Sequence, residues 1–228
     1  MFNMIVRDEL YQVSEVNSNL EIETIHTDHL KYLKVSNFLK YPHEFISLFS
    51  QYPAVVGPSY ITTAGARQNF TPIEVRNILI AYQEILDTIR LKVNPVKWIS
   101  STNIMWDGMV GMTGCNKPHY DATTMVANLW LSEHNGGTAF YCYKGNKYNK
   151  SDLEGENIFW ELSPELKVWE NFEGDSEWKK YHLIPTEFNT VYIYDGTFFH
   201  APYPQLNDQY RYSLVSFYHD TINFSEHV

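Results

Sequence analysis

The sequence predicts a mostly β fold with flanking helices, of the sandwich or jelly-roll type. From Trp98 onward, apolar residues recur with a period of two, in segments separated by Gly, Asn, Asp and Pro. The clearest helical pattern is confined to residues 71–91, ahead of those segments, so strands and helices do not alternate as they would around a parallel sheet. Composition agrees: 16% of the residues are aromatic, and flat rings pack well on pleated surfaces.

The elements follow in chain order. LKYLKVSNF (30–38) reads as an early strand. Pro42 opens a short helix with Phe45, Ile46, Leu48 and Phe49 on one side. Thr71-Pro72-Ile73-Glu74 has a capping Thr and Pro at the first helical position. Ile78, Leu79, Tyr82, Ile85, Leu86 and Ile89 then form one apolar stripe, and Asn94-Pro95 ends it. ISSTNIMW, TMVANLWLS, GTAFYCYK, NTVYIYDG and QYRYSLVSFYH read as strands, with a strong turn signal at Asn135-Gly136-Gly137. No linker divides the chain. One domain is expected, with a strand and supporting helices over 1–97 and the β core over 98–228. Within that core, the polar residues 145–189 read as an insertion able to serve as a lid or a surface excursion.

The 228 residues include 17 basic and 27 acidic ones, a formal net charge of −10. Phosphate backbones need clustered Lys and Arg, so a nucleic-acid partner is disfavoured, as is an anionic membrane surface. The opening MFNMIVRDELYQ has no basic segment followed by a long apolar run, and no stretch has the length of a membrane span. Cys115 and Cys142 are too few for a disulfide framework. A cytoplasmic protein is expected.

The chemistry concentrates at His119-Tyr120-Asp121. On a strand, residues i and i+2 share a face, so His119 and Asp121 can grip one ion together. The pattern arises readily by chance, as a second copy at His26-Thr27-Asp28 shows. The C-terminal region separates the two copies. His200 follows an Asp195-Gly196 turn, and eleven positions further on stand Arg211 and, on the same strand face, Ser213. Two His and one carboxylate leave octahedral positions open, which suits a non-haem Fe(II) that must bind a cosubstrate and oxygen. A permanently charged guanidinium suits a dicarboxylate, and a Ser hydroxyl adds a donor.

This pattern resembles that of the Fe(II)- and 2-oxoglutarate-dependent dioxygenases. Gly136-Gly137-Thr138-Ala139-Phe140 is similar to the Gly-Gly-x-x-Phe strand of their prolyl-4-hydroxylase-like branch. The likeness is carried further by VSNFLKYPHEF, GGTAFYCYK and EFNTVYIYDGTFFHAPY; it covers residues 100–218 well and the N-terminal part loosely. The resemblance implies a double-stranded β-helix, a cupin-like jelly roll. It implies Fe(II) held by His119, Asp121 and His200, with 2-oxoglutarate held through its distal carboxylate by Arg211 and Ser213. It also implies O2 as oxidant and the hydroxylation of a peptide side chain or small molecule, with release of succinate and CO2. Halogenating relatives lack the carboxylate ligand, so Asp121 favours hydroxylation or a related oxidation. Prolyl hydroxylases carry Lys where this chain has Arg211. They also have an upstream Tyr motif where this chain has Met105-Trp106-Asp107-Gly108, so the resemblance carries the iron chemistry rather than prolyl specificity.

Two other functions fit parts of the pattern. Two His and one Asp also suit a zinc hydrolase, which has no need of Arg211 and Ser213. A jelly roll can also bind a small ligand without catalysis. Asn128, Trp130, Tyr141 and Tyr143 are candidates to line a pocket, although strand aromatics commonly serve as core. His134, His182, His219 and His227 read as structural or surface residues, and Cys115 as a small buried hydrophobe.

Overall fold

The computed structural model describes residues 9–49, 55–56, 66–70, 74–88, 99–105, 118–121, 125–132, 136–156, 172–204 and 211–218. Its strands are β1 (Glu21–His26), β2 (Lys31–Ser36), β3 (Val55–Val56), β4 (Ala66–Phe70), β5 (Ile99–Met105) and β6 (Met125–Trp130). The series continues with β7 (Gly136–Tyr143), β8 (Trp178–Pro185), β9 (Thr190–Tyr194), β10 (His200–Pro204) and β11 (Arg211–Tyr218). Helices α1 (Pro42–Phe49) and α2 (Arg76–Thr88) precede the strand-rich half, after a helical turn at residues 9–13. No helix among the described residues is long and apolar enough to cross a membrane.

All strand pairs are antiparallel. One sheet has the order β1-β2-β9-β6-β11-β5-β4-β3 and the other β10-β7-β8. An isolated bridge between His119 and His200 extends the pairing beyond β10 at the edge of the smaller sheet. Two facing antiparallel sheets with interleaved connections make a jelly roll, as the strand pattern predicts.

Strand alternation sorts the large sheet into two faces. Leu33, Val35, Met125, Ala127, Leu129, Val191, Ile193 and Leu214 form one core with helix residues Ile78, Leu79, Tyr82, Ile85 and Leu86. Each buried Val, Leu, Ile or Met side chain among them is worth about 1.5–3 kcal/mol relative to exposure. Tyr32, Val126, Trp130, Tyr192, Tyr194 and Val215 line the other face, where they meet Phe140, Ile184 and Phe198 between the sheets. The outer face of the small sheet is covered by a third cluster, including Tyr141, Leu153, Phe172, Trp178 and Phe199. Because β6 and β9 are buried on both faces, their sequences read as nearly unbroken apolar runs.

The expected strands at 30–38, 99–106, 124–132, 137–144, 189–196 and 209–219 are present within a residue or two at most ends. Helix α2 begins at Arg76, later than the Thr71 cap predicts; residues 71–73, Ile89 and Asn94-Pro95 lie outside the described residues. Four strands of five or more residues are not evident from the sequence pattern. The edge strand β1 is mostly exposed, so its pattern is weak. β10 (HAPYP) contains two prolines, tolerated because beyond its ladder with β7 it is bridged on its other side at His200 alone among the described residues. β8 carries two lysines at a sheet edge. It lies inside the segment 145–189 that reads as an insertion, so part of that segment is core sheet. β4 completes the four.

Residues 145–156 and 172–177 pack along the outside of the small sheet. Asn149 bridges Phe198, and Tyr141 donates its hydroxyl to the Phe172 carbonyl at 2.7 Å. Residues 157–171, with Trp160 and Trp169, lie outside the described residues.

At Gly137 the backbones of β7 and β8 come close together. An added Cβ there would overlap the Ile184 carbonyl of β8. Gly137→Ala is expected to force β7 and β8 apart and destabilise the protein by about 1–3 kcal/mol. Urea denaturation checks this, and unchanged stability would mean that the sheet absorbs the methyl group. His182 lies between the sheets, 3.3 Å from the Tyr32 hydroxyl, and burial holds its imidazole below the usual range. The unfolded chain therefore takes up that proton first, and stability is expected to fall as pH drops below 6.5, the ordinary value. His182→Gln keeps a polar partner for Tyr32 and removes the titration, so its loss of stability between about pH 7.5 and 5.5 should be smaller than that of the unsubstituted chain. Equal losses would assign the effect elsewhere.

Candidate metal and cosubstrate site

His119 and His200 face each other across a narrow antiparallel pair. The His119 N–H donates to the His200 carbonyl at 2.9 Å, and the His200 N–H donates back to the His119 carbonyl at 2.7 Å. Residues directly opposite in such a pair present their side chains on the same face. The imidazole centroids are 4.5 Å apart. Asp121, two residues along from His119, shares that face. Its N–H is held by the Gly196 carbonyl at 2.7 Å. Two imidazoles and one carboxylate thereby converge, with one potential ligand atom from each lying within 4.8 Å of the others.

The turn before His200 is built by Asp195. Its Oδ1 accepts from the Thr197 N–H at 2.8 Å and the Thr197 hydroxyl at 2.6 Å. This Asx turn presents the Gly196 carbonyl to Asp121 and starts the chain back toward β10. Asp195 is buried, which pushes its carboxyl upward against the lowering effect of the Thr197 bonds. The segment at 148–150 supports the turn from outside. The Phe199 N–H donates to the Tyr148 carbonyl and the Lys150 N–H to the Thr197 carbonyl, each at 2.9 Å.

The His200 tautomer follows from its neighbours. Nδ1 lies 2.8 Å from the Phe198 carbonyl, which can only accept, so Nδ1 carries the proton. Nε2 is left facing Asp121 Oδ2 at 3.3 Å. Burial favours the neutral imidazole, yet the Asp121 carboxylate and the Phe198 carbonyl together hold its pKa above the usual value. A site that attracts a proton to Nε2 in this way also attracts a cation. A carbonyl fixing the distal nitrogen is the usual outer support of a metal-binding His. These donors fit one hard or borderline metal ion such as Fe(II).

His200 and His119 are buried, while the Asp121 side chain is 19% exposed, so the group opens toward solvent on the Asp121 side. Phe140 and Tyr194 wall His200, with ring centroids at 5.9 and 5.4 Å.

Among the other candidates, Arg211 is the first residue of β11, in register with Met105; its side chain lies outside the described residues. Ser213 follows two residues later, in register with Asn103 and Trp130, and is buried. Asn128 and Trp130 alternate with Leu129, which faces the helices, and point between the sheets. Tyr141 and Tyr143 do not line this interior: they face the third cluster on the opposite side of β7, because the pleat sets them out of phase with Phe140. The second motif copy, His26-Thr27-Asp28, sits at the β1–β2 turn with His26 and Asp28 exposed. Cys142 is buried and free; Cys115, Trp106, His134, His219 and His227 lie outside the described residues. Sequence reasoning missed the backbone supports at Gly196 and Phe198. The Asp-Gly-Thr run at 195–197 was the signal for the first, and backbone carbonyls leave none for the second.

No protein-family model and no curated protein sequence matches the chain. Solved structures do. SnoN, an epimerase, in complex with Fe3+, alpha ketoglutarate and nogalamycin RO aligns with a TM-score of 0.53 at 12% identity, covering 96% of this chain and 84% of SnoN. A further structure of SnoN, the non-heme alpha ketoglutarate dependent epimerase from nogalamycin biosynthesis, gives 0.51 at 11% identity with the same coverage. A Pseudomonas putida prolyl-4-hydroxylase aligns at 0.45 and 10% identity, over 94% of this chain and 98% of that one. With its strand order and the SnoN likeness together, this chain has the jelly-roll fold of the Fe(II)- and 2-oxoglutarate-dependent oxygenases.

Proposed function

We propose that this chain is an Fe(II)- and 2-oxoglutarate-dependent oxygenase acting on a small molecule or a peptide side chain. The observation that carries the proposal is the convergence of His119, Asp121 and His200 within 4.8 Å on this fold. The SnoN structure, solved with Fe3+ and alpha ketoglutarate, supports the choice of cofactors. Bound iron and 2-oxoglutarate would supply the oxidation, turning O2 and cosubstrate into succinate, CO2 and an oxidised, most simply hydroxylated, substrate.

The roles of the chain's own residues follow. His119 and His200 offer neutral nitrogens and Asp121 an anionic oxygen, which leaves coordination positions for a chelating cosubstrate. The Phe198 carbonyl keeps the His200 proton on Nδ1, away from the ion. Arg211 and Ser213 on β11 would hold the distal carboxylate of 2-oxoglutarate, the one offering a guanidinium and the other a hydroxyl donor. Phe140 and Tyr194 keep water from the buried side, and substrate arrives past the more exposed Asp121. The same reading places the protein in the cytoplasm, where the free Cys142 stays reduced.

Anaerobic titration of metal-free protein with Fe(II) and then 2-oxoglutarate is expected to produce the weak visible charge-transfer band of the chelate. His119→Ala should abolish the band, and Arg211→Ala should require about tenfold or more 2-oxoglutarate while binding iron normally. Bound metal without a band in the unsubstituted protein would overturn the proposal. Asp195→Ala removes the support of the turn rather than a ligand, and should weaken metal binding by about tenfold with secondary structure retained. Circular dichroism beside a metal titration tests this, and undiminished affinity would show that the turn holds without Asp195.

A further inference from the structure

Asn128 is an anomaly between the two sheets. It lies on β6 between Val126 and Trp130, with Tyr192 of β9 in register on one side and Val215 of β11 on the other. It is 6% exposed, and its Oδ1 has no hydrogen-bond partner. Diagonally adjacent, Ser213 pairs in register with Trp130 and is 4% exposed. No hydrogen bond from its hydroxyl is formed among the described residues.

Burying an amide oxygen without a partner is costly, and a fold tolerates it where something else completes the bond. The chain contains its own comparison. Asn189 is equally buried, and its amide is used on both sides: Oδ1 accepts from the Leu39 N–H at 2.7 Å and Nδ2 donates to the Leu39 carbonyl at 2.8 Å. A structural Asn in this fold is satisfied by backbone. Asn128 instead faces an aromatic and aliphatic interior; its polar neighbours on β9, Tyr192 and Thr190, bond to Glu187 and the Phe188 carbonyl, which leaves Ser213, on the strand that carries Arg211, as the neighbour without a bond among the described residues.

We propose that Asn128 is a cosubstrate-binding residue, whose side-chain amide hydrogen-bonds to the 2-oxo acid beside Ser213. The inference rests on the oxygenase reading and extends it to a third strand of the barrel. An amide has two donors and an acceptor, and turning it about its terminal bond exchanges them, so it can present N–H to a carboxylate or accept from a protonated group. A carboxylate between Asn128 and Ser213 would meet donors from both β6 and β11.

The test uses the full chain loaded with Mn(II), which does not turn over, and calorimetric titration with 2-oxoglutarate. Asn128→Leu has nearly the same shape without polar atoms, and Asn128→Asp keeps the shape but opposes one carboxylate with another. Asn128→Leu should raise the 2-oxoglutarate Kd about tenfold, and Asn128→Asp should raise it further, as expected for bonds to a charged group. Mn(II) affinity should be unchanged. Without 2-oxoglutarate, Asn128→Leu should melt no lower than the unsubstituted protein, because it removes an unmatched polar atom. If the unsubstituted protein binds 2-oxoglutarate and both variants bind it equally well, the assignment is overturned while the oxygenase reading stands. If the unsubstituted protein does not bind 2-oxoglutarate, both fall. Should Asn128→Leu fail to fold, the Asn128→Asp titration decides alone, and an unchanged Kd overturns the assignment.

Discussion

The reciprocal backbone pair between His119 and His200 is the constraint on which the rest of the site depends. Two hydrogen bonds, at 2.9 and 2.7 Å, join positions 81 residues apart (200 − 119) and orient both imidazoles to one side. Asp121 then needs no separate placement, because strand alternation puts it on the face of His119. The Gly196 carbonyl locks that strand from its far end. A side-chain constellation is thus set almost entirely by main-chain bonds, which carry no residue-type signature.

Burial of the large sheet on both faces supplies the rigidity that this arrangement needs. The helices cover one face with aliphatic side chains, and the small sheet covers the other with aromatic ones. His200 sits against that aromatic layer through Phe140 and Tyr194, so its ring cannot turn without disturbing the packing between the sheets. The outer cluster, with Tyr148 and Lys150 bonded to the turn at 197–199, stiffens the small sheet from the opposite side. Part of what reads as an insertion is therefore the outer support of the site.

Polar groups inside this fold divide by what satisfies them. Asn189 ties the chain at Leu39 to the start of β9, and Asp195 spends its carboxylate on one turn. His182 finds the Tyr32 hydroxyl. Each contributes to positioning the backbone. Asn128 and Ser213, which make no side-chain hydrogen bond among the described residues, lie on the inner faces of neighbouring strands, in the layer that also walls the candidate metal site. That placement is what the proposed ligand-binding interior requires: a close-packed shell with a few polar atoms open to a ligand.

Most strands of the core, both helices and the ligand types were legible in the sequence, because period-two alternation and the His-x-Asp spacing are local properties. The choice between the two His-x-Asp copies was also legible, through His200 and the Arg-x-Ser that follows it. Other features belonged to tertiary structure alone. β1, β8 and β10 lie at sheet margins, where one-sided burial leaves little hydrophobic signal and prolines are tolerated. The phase of Tyr141 relative to Phe140, which turns it away from the site, depends on which face of β7 meets the large sheet. The proton position on His200 depends on the Phe198 carbonyl, and that of any residue's carbonyl is invisible in the one-letter code. Sequence by itself determined which side chains are candidates to hold an ion, because chemistry resides in side chains. Tertiary structure decided which of them meet and which nitrogen each presents, because those depend on backbone pairing between distant segments.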